Sequence, residues 1–150
     1  MPNDRKPTID IDDLLCFDVY SVHHAFNQVY KSLLDPLGLT YPQYLVLVAL
    51  WSGGGQTVGQ IGQRLGLESN TLTPLVKRLE KNGLVTRSRD PEDERRVLVA
   101  LTPEGEALRG QVAHVPNCIA EATGLSEVDF RTLHRALATL RKSLLGRRDA

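Results

Sequence analysis

No stretch of the sequence approaches the run of about 18 apolar residues that a membrane-spanning helix needs. The opening segment Met1-Pro2-Asn3-Asp4-Arg5-Lys6 lacks the apolar core of a secretory signal, so a cytoplasmic location away from any membrane is expected. Net charge is absent too. The 18 basic residues balance 18 acidic ones, which removes any global electrostatic hint of a partner. Sulfur is scarce: Cys16 and Cys118 lie about a hundred residues apart and form no CxxC, so the spacing carries no zinc pattern. In a reducing compartment the pair reads as two free or redox-active thiols rather than a structural disulfide. No phosphate loop, catalytic triad or convincing carboxylate pair is present, and no cofactor is expected.

What is present is an ordinary globular composition, 41% hydrophobic and 24% charged over 150 residues, which fits one domain spanning 1–150. Residues 1–9 read as a loose polar arm. Ile11, Leu15, Val19, Val22, Phe26, Val29 and Leu33 then recur at spacings of four and three, predicting a long helix from roughly Asp10 to Leu34. Thr40-x-x-Gln43 is a capping box with Pro42 in the first turn, and the helix it opens ends at Ser52-Gly53-Gly54-Gly55. Thr57-x-x-Gln60 is a second capping box, opening a short helix that Gly66 stops. Another helix starts near Ser69, turns Leu72, Leu75, Val76 and Leu79 inward, and ends at Asn82-Gly83.

From Leu84 the period becomes extended. Leu84–Arg89 and Arg96–Leu101 flank the polar turn Asp90-Pro91-Glu92-Asp93-Glu94 and predict a β-hairpin. Helix resumes at Thr102-Pro103-Glu104. A break near Pro116 or Gly124 precedes a last helix from Ser126, capped with Asp129, whose expected buried face is Val128, Leu133, Leu137, Leu140 and Leu144. The fold class is therefore mainly α with a small β-hairpin.

Two helices joined by the Gly-containing turn Gly66-Leu67-Glu68 make a helix-turn-helix, with Gly59 and Gly62 placed for close helix packing. The second helix would enter a DNA major groove. Its Ser69, Asn70, Thr71 and Thr73 suit bases or phosphates, and Lys77 and Arg78 suit phosphates. Pro74 removes one helical hydrogen bond. The hairpin, bounded by Arg87, Arg89, Arg95 and Arg96, then reads as a wing for a narrow minor groove, with Asp93 positioned to hold the Arg95 guanidinium. Between Arg64 and Arg96 eight basic residues face six acidic ones, so the pattern carries this reading and the charge does not.

The terminal helices, 10–35 and 103–145, bear apolar stripes that the small 40–101 lobe cannot cover. A two-fold homodimer on pseudo-palindromic double-stranded DNA is the expected assembly.

The element order and the segment Asp93-Glu94-Arg95-Arg96-Val97-Leu98-Val99-Ala100-Leu101-Thr102 resemble the MarR family of winged-helix regulators. Leu15-Cys16-Phe17, Tyr20, Leu39-Thr40-Tyr41-Pro42-Gln43-Tyr44-Leu45-Val46 and Thr71-Leu72-Thr73-Pro74-Leu75 are similar to its organic-hydroperoxide-sensing branch, OhrR, over roughly residues 10 to 145. The resemblance implies a repressor whose Cys16 reacts with an organic hydroperoxide, with Tyr20, Tyr30 and Tyr41 around it. It also implies the two-cysteine type, in which Cys118 of the other subunit traps the sulfenic acid as a disulfide and DNA is released. Tyr30 lies fourteen positions beyond Cys16, about 21 Å along a helix, so any contact between them must cross the dimer. Asp12 and Asp13, read as helical neighbours of Cys16, would oppose a thiolate.

Three other readings remain open at this level. One is a MarR-type repressor released by a small phenolic ligand, with Trp51 and tyrosines lining the pocket. A second is a metal sensor built on Cys16, His23, His24 and His114. The third is a thiol peroxidase, which would have no use for a wing.

Overall fold

The computed structural model describes residues 8–147, so most of the arm expected over residues 1–9 lies outside the described residues. The chain separates into two compact units, one ending at Ala113 and one beginning at His114.

In the first unit the chain does not enter the long helix where the periodicity places it. The Asp10 side chain accepts from the Asp12 N–H at 3.1 Å and holds a short 3-10 turn, Ile11–Asp13. Leu14 is extended (φ −94°, ψ 109°), and α1 runs only from Leu15 to Leu34. An aspartate that satisfies backbone donors locally competes with helix, which periodicity alone does not register. Gly38, at φ 67°, then turns the chain toward α2, Tyr41–Gly53. Both bonds of the Thr40/Gln43 capping box form, at 3.0 and 3.4 Å. This helix is the centre of the core, burying Gln43, Tyr44, Val46, Leu47, Ala49 and Leu50.

The helix-turn-helix follows as α3, Val58–Leu65, and α4, Ser69–Lys81. The Thr57/Gln60 box forms, and Gly66 takes the left-handed conformation that ends α3. Gly62 is required there: a Cβ on it would lie 2.6 Å from the Leu67 carbonyl oxygen. Gly59 is not, since the nearest atom to a Cβ would be Thr57 Oγ1 at 3.9 Å. Only one of the two glycines expected to allow close packing has that reason. Leu72, Val76 and Leu79 of α4 are buried, whereas Leu75 is half-buried.

The hairpin consists of β2, Val85–Arg89, and β3, Val97–Leu101, paired antiparallel with Arg87 opposite Val99 and Arg89 opposite Val97. A two-residue strand β1, Gln56–Thr57, adds to the other edge of β3, giving the order β1-β3-β2. Two residues are too few to show a period, so β1 was not legible beforehand. The buried Gln56 amide explains its position, donating to the carbonyls of Ala49 (2.8 Å) and Gly54 (3.1 Å) at the end of α2. Helix α5, Pro103–Gln111, is capped by Thr102 as expected.

The second unit holds α6, Val115–Thr123, and α7, Glu127–Gly146. Gly124 (φ 64°) breaks the chain between them, and Pro116 sits inside the first turn of α6 instead of ending a helix. A further interruption occurs at 112–114. Ser126 caps α7 by accepting from the Asp129 N–H and donating to the Asp129 carboxylate.

The terminal stripes are not buried within one chain. Val128 is 73% exposed, Leu133, Leu137 and Leu144 are exposed, and Leu140 is half-buried. On α1, Leu15, Val19 and Val22 are exposed, and Phe26, Val29 and Leu33 are half-buried. Among the described residues no single helix is long and apolar enough to cross a membrane.

Candidate nucleic-acid interface and thiol site

Burial of Leu72, Val76 and Leu79 fixes the rotation of α4 and leaves Asn70, Thr71, Lys77 and Arg78 exposed on its other faces. Ser69 opens the helix. Thr73 is half-buried, and its hydroxyl donates to the Ser69 carbonyl at 2.7 Å. Its side chain therefore serves its own helix first.

The wing is an organised electrostatic object. Arg95 donates to both carboxylate oxygens of Asp93, Nε to Oδ1 at 3.1 Å and Nη2 to Oδ2 at 3.3 Å, yet stays 91% exposed. Arg96 Nε stands 3.5 Å from the same carboxylate. Hydrogen bonds from Arg95, with the Arg96 charge behind them, hold the Asp93 carboxyl below its ordinary value. One carboxylate thus orients two guanidinium groups. Arg89 donates to the Glu94 carbonyl across the turn at 2.7 Å. Arg87 differs, because its guanidinium and backbone N–H are both engaged by Glu80 of α4. Ser69, Thr73, Arg95 and Arg96 line one groove between α4 and the wing base.

Cys16 is exposed and is the second residue of α1. The late start of that helix places it in the first turn, which also carries Asp18. Asp12 and Asp13 sit in the preceding 3-10 turn and are not its helical neighbours. Cys118 is half-buried in α6. Tyr30 and Tyr41 stack with ring centroids 4.3 Å apart, and Tyr44 joins at 5.7 Å from Tyr30. Burial, then the neighbouring Tyr41 and Tyr44, push the Tyr30 phenol up to about 12, and burial also raises Tyr41. Tyr20 lies apart from this cluster, edge-on to His24 at 4.5 Å. The structure therefore joins Tyr30 to Tyr41 and leaves Tyr20 on the Cys16 half of α1.

A model of the MarR family matches residues 39–97. The chain is 47% identical over 143 residues to the HTH-type transcriptional regulator TtmR of Methylorubrum extorquens (strain PA1), covering 95% of this chain and 73% of that one. It is 42% identical over 134 residues to the organic hydroperoxide resistance transcriptional regulator of Bacillus subtilis (strain 168), covering 89% and 91%. The chain belongs to the MarR family. The Bacillus relative supports its OhrR branch, as does AbfR, of which a Staphylococcus epidermidis structure is known. Reduced AbfR bound to DNA matches with a TM-score of 0.75 at 38% identity, covering 87% of this chain and 91% of AbfR. Disulfide-formed AbfR matches with a TM-score of 0.62 at 36% identity, covering 91% and 90%.

Within this MarR fold a cavity of about 650 Å³ lies between α1, the start of α2 and the helix-turn-helix turn, bordered by His23, Lys31, Leu39, Tyr41, Leu45 and Leu67. Trp51 is not in it, contrary to the expectation for a phenolic pocket. Its indole N–H instead donates to the Gly105 carbonyl at 3.0 Å. The metal arrangement does not form: among the described residues no group of three or more His, Cys, Asp or Glu can hold an ion. His23 pairs with Asn27 at 3.2 Å and His24 packs on Tyr20.

Sequence reasoning missed Glu80 and Arg64. Arg64 of α3 donates to the Ala49 carbonyl at 2.9 Å and the Ser52 hydroxyl at 3.0 Å, tying α3 to the end of α2. A cation near a helix C-terminus is the available signal, although its partner carbonyl lies fifteen residues back, beyond the reach of a local pattern.

Proposed function

We infer that this MarR-family transcriptional regulator is a homodimeric repressor that binds pseudo-palindromic operator DNA and releases it when an organic hydroperoxide oxidises Cys16. The observation that carries the DNA reading is the wing tip, where Asp93 holds Arg95 extended and exposed beside α4. A major-groove helix with an adjacent arginine-tipped wing reads both grooves of one site. The exposed apolar faces of α1 and α7 supply the dimer surface, and two copies place two such faces on successive half-sites. The finding that AbfR has been solved reduced on DNA supports the assignment.

In the sensing step the Cys16 thiolate attacks the O–O bond of the hydroperoxide. The sulfur takes the hydroxyl as sulfenic acid, and the alkoxide leaves and picks up a proton to become the alcohol. The Cys118 thiolate of the partner chain then attacks that sulfur, forming the disulfide and expelling hydroxide, which is protonated to water. Tyr30 and Tyr41, neutral phenols, are hydrogen-bond donors for the leaving oxygen or the thiolate. Both cysteine Cα atoms must come within about 7 Å to form the bond.

A second reading rests on the cavity beside Tyr41: a phenolic ligand seated there would release DNA with no sulfur chemistry. Binding of wild type and Cys16→Ser to a promoter duplex, with and without cumene hydroperoxide, separates the two. Wild type should bind and be released, forming an intersubunit disulfide on a non-reducing gel, while Cys16→Ser should bind and stay. Peroxide release of Cys16→Ser would overturn thiol sensing.

A further inference from the structure

The tyrosine cluster and the root of the wing lie at opposite ends of α2, and one face of that helix joins them. Tyr44 and Trp51 are seven residues apart, two turns along the same side, and their rings stand edge-on with centroids 6.4 Å apart. Tyr44 in turn meets Tyr30 at 5.7 Å, and Tyr30 stacks on Tyr41. Resting on the thiol-sensing reading above, we propose that Trp51 is a positioning residue for operator release. When oxidation of Cys16 displaces the tyrosine cluster, Trp51 passes the movement through its indole N–H to the first turn of α5, and so to the wing.

The receiving end is built as one piece. Trp51 Nε1 donates to the Gly105 carbonyl at 3.0 Å. The Gly105 N–H donates to the Thr102 hydroxyl at 3.0 Å, and that hydroxyl donates to the Gly83 carbonyl at 2.6 Å. The Thr102 N–H donates to the Leu84 carbonyl at 3.0 Å. Gly83 and Leu84 lead directly into β2, the first wing strand. Gly105 has no room for a side chain, because a Cβ on it would overlap the Leu84 carbonyl oxygen. The start of α5 and the entry to the wing therefore move together.

The choice of residue and its surroundings carry the argument further. Among large, largely apolar side chains, only tryptophan brings an indole N–H that can donate and has no acceptor role, and Trp51 is the single tryptophan of the chain. Tyr44 is buried beside it, so in a close-packed interior its ring cannot shift without pressing on the indole. Arg64 meanwhile holds the Ala49 carbonyl and the Ser52 hydroxyl on either side of Trp51. The backbone is fixed at this end of α2, and a displacement has to travel through the side chain.

The test compares wild type, Trp51→Phe and Cys16→Ser. Phenylalanine keeps a ring against Tyr44 and removes the donor. Treated with cumene hydroperoxide, Trp51→Phe should lose titratable thiol at the wild-type rate. The promoter affinities of its reduced and oxidised forms should nevertheless converge, narrowing the wild-type gap on the order of tenfold. In wild type without DNA, the peroxide should shift the Trp51 fluorescence, and in Cys16→Ser it should not. Trp51→Phe with the wild-type gap would overturn the proposal whatever its thermal midpoint, since only a packing role would remain. Unmoved fluorescence in wild type that the peroxide does release from DNA would overturn it too, and that measurement needs no variant to fold. Peroxide release of Cys16→Ser, or no release of wild type, would instead remove the thiol reading and this proposal with it.

Discussion

Glu80 and Arg87 grip each other across the Asn82-Gly83 turn. The guanidinium Nε and Nη2 both donate to Oε1 at 3.1 Å, and the Arg87 backbone N–H donates to Oε2 at 3.1 Å. The pair joins the end of the recognition helix to the first wing strand, so it sets the angle between the two DNA-reading elements. Arg87 therefore positions the wing, whereas Arg78, Arg89, Arg95 and Arg96 stay exposed and available to the proposed DNA site.

This division of labour is measurable. Glu80→Gln and Arg87→Gln should each weaken operator binding, and the double variant should lose no more than either single one. The salt slope should stay at the wild-type value for all three, whereas Arg95→Gln should reduce it by about 0.9. A reduced slope for Arg87→Gln would mean that Arg87 touches phosphate after all. The hydrogen bond from Arg87 lowers the Glu80 carboxyl below 4.5. The grip is thus fully present above that value and is lost as pH falls through the lowered one.

Gly62→Ala probes the turn of the helix-turn-helix. The new methyl group would stand 2.6 Å from the Leu67 carbonyl oxygen, which belongs to backbone that must follow the turn. The Leu67 N–H also donates to the Gly62 carbonyl at 3.0 Å, so displacing one group strains the other. A loss of about 1–3 kcal/mol is expected, in line with overpacking at well-packed sites. Thermal or urea unfolding checks it, and a wild-type midpoint would show that the turn can open without penalty.

Why some of this was legible in the sequence and some was not follows from range. Thr40, Thr57, Thr102 and Ser126 all cap helices, because a capping bond spans only three residues and is written locally. The existence of the hairpin followed from two short strands flanking one polar turn, and the Asp93–Arg95 pair from a spacing of two. Longer relationships were hidden. The Arg64 clamp on α2, the Gln56 strand on β3 and the Trp51 bond to Gly105 connect segments that no local period relates. The start of α1 differs for another reason: Asp10 caps a 3-10 turn that takes up Ile11, the first residue of the stripe. The apolar stripes of α1 and α7 were recognised as such, but what covers them is a property of the assembly and not of one chain.

Tyr30 offers a test of the aromatic cluster that requires neither DNA nor peroxide. Burial, and then the neighbouring Tyr41 and Tyr44, raise its phenol from 10.0 to about 12. A raised acid keeps its proton in the folded chain after the unfolded chain has lost it, so between those two values the native state binds more protons. Stability from this source is complete below pH 10, falls as pH rises toward 12, and falls no further beyond. Tyr30→Phe removes the ionisable group while keeping the ring that stacks on Tyr41. Urea unfolding at a series of alkaline pH values should therefore show a shallower loss of stability in Tyr30→Phe than in wild type across this window. Parallel slopes would mean that the Tyr30 phenol is solvated as freely in the native chain as in the unfolded one, and that the aromatic cluster does not bury it.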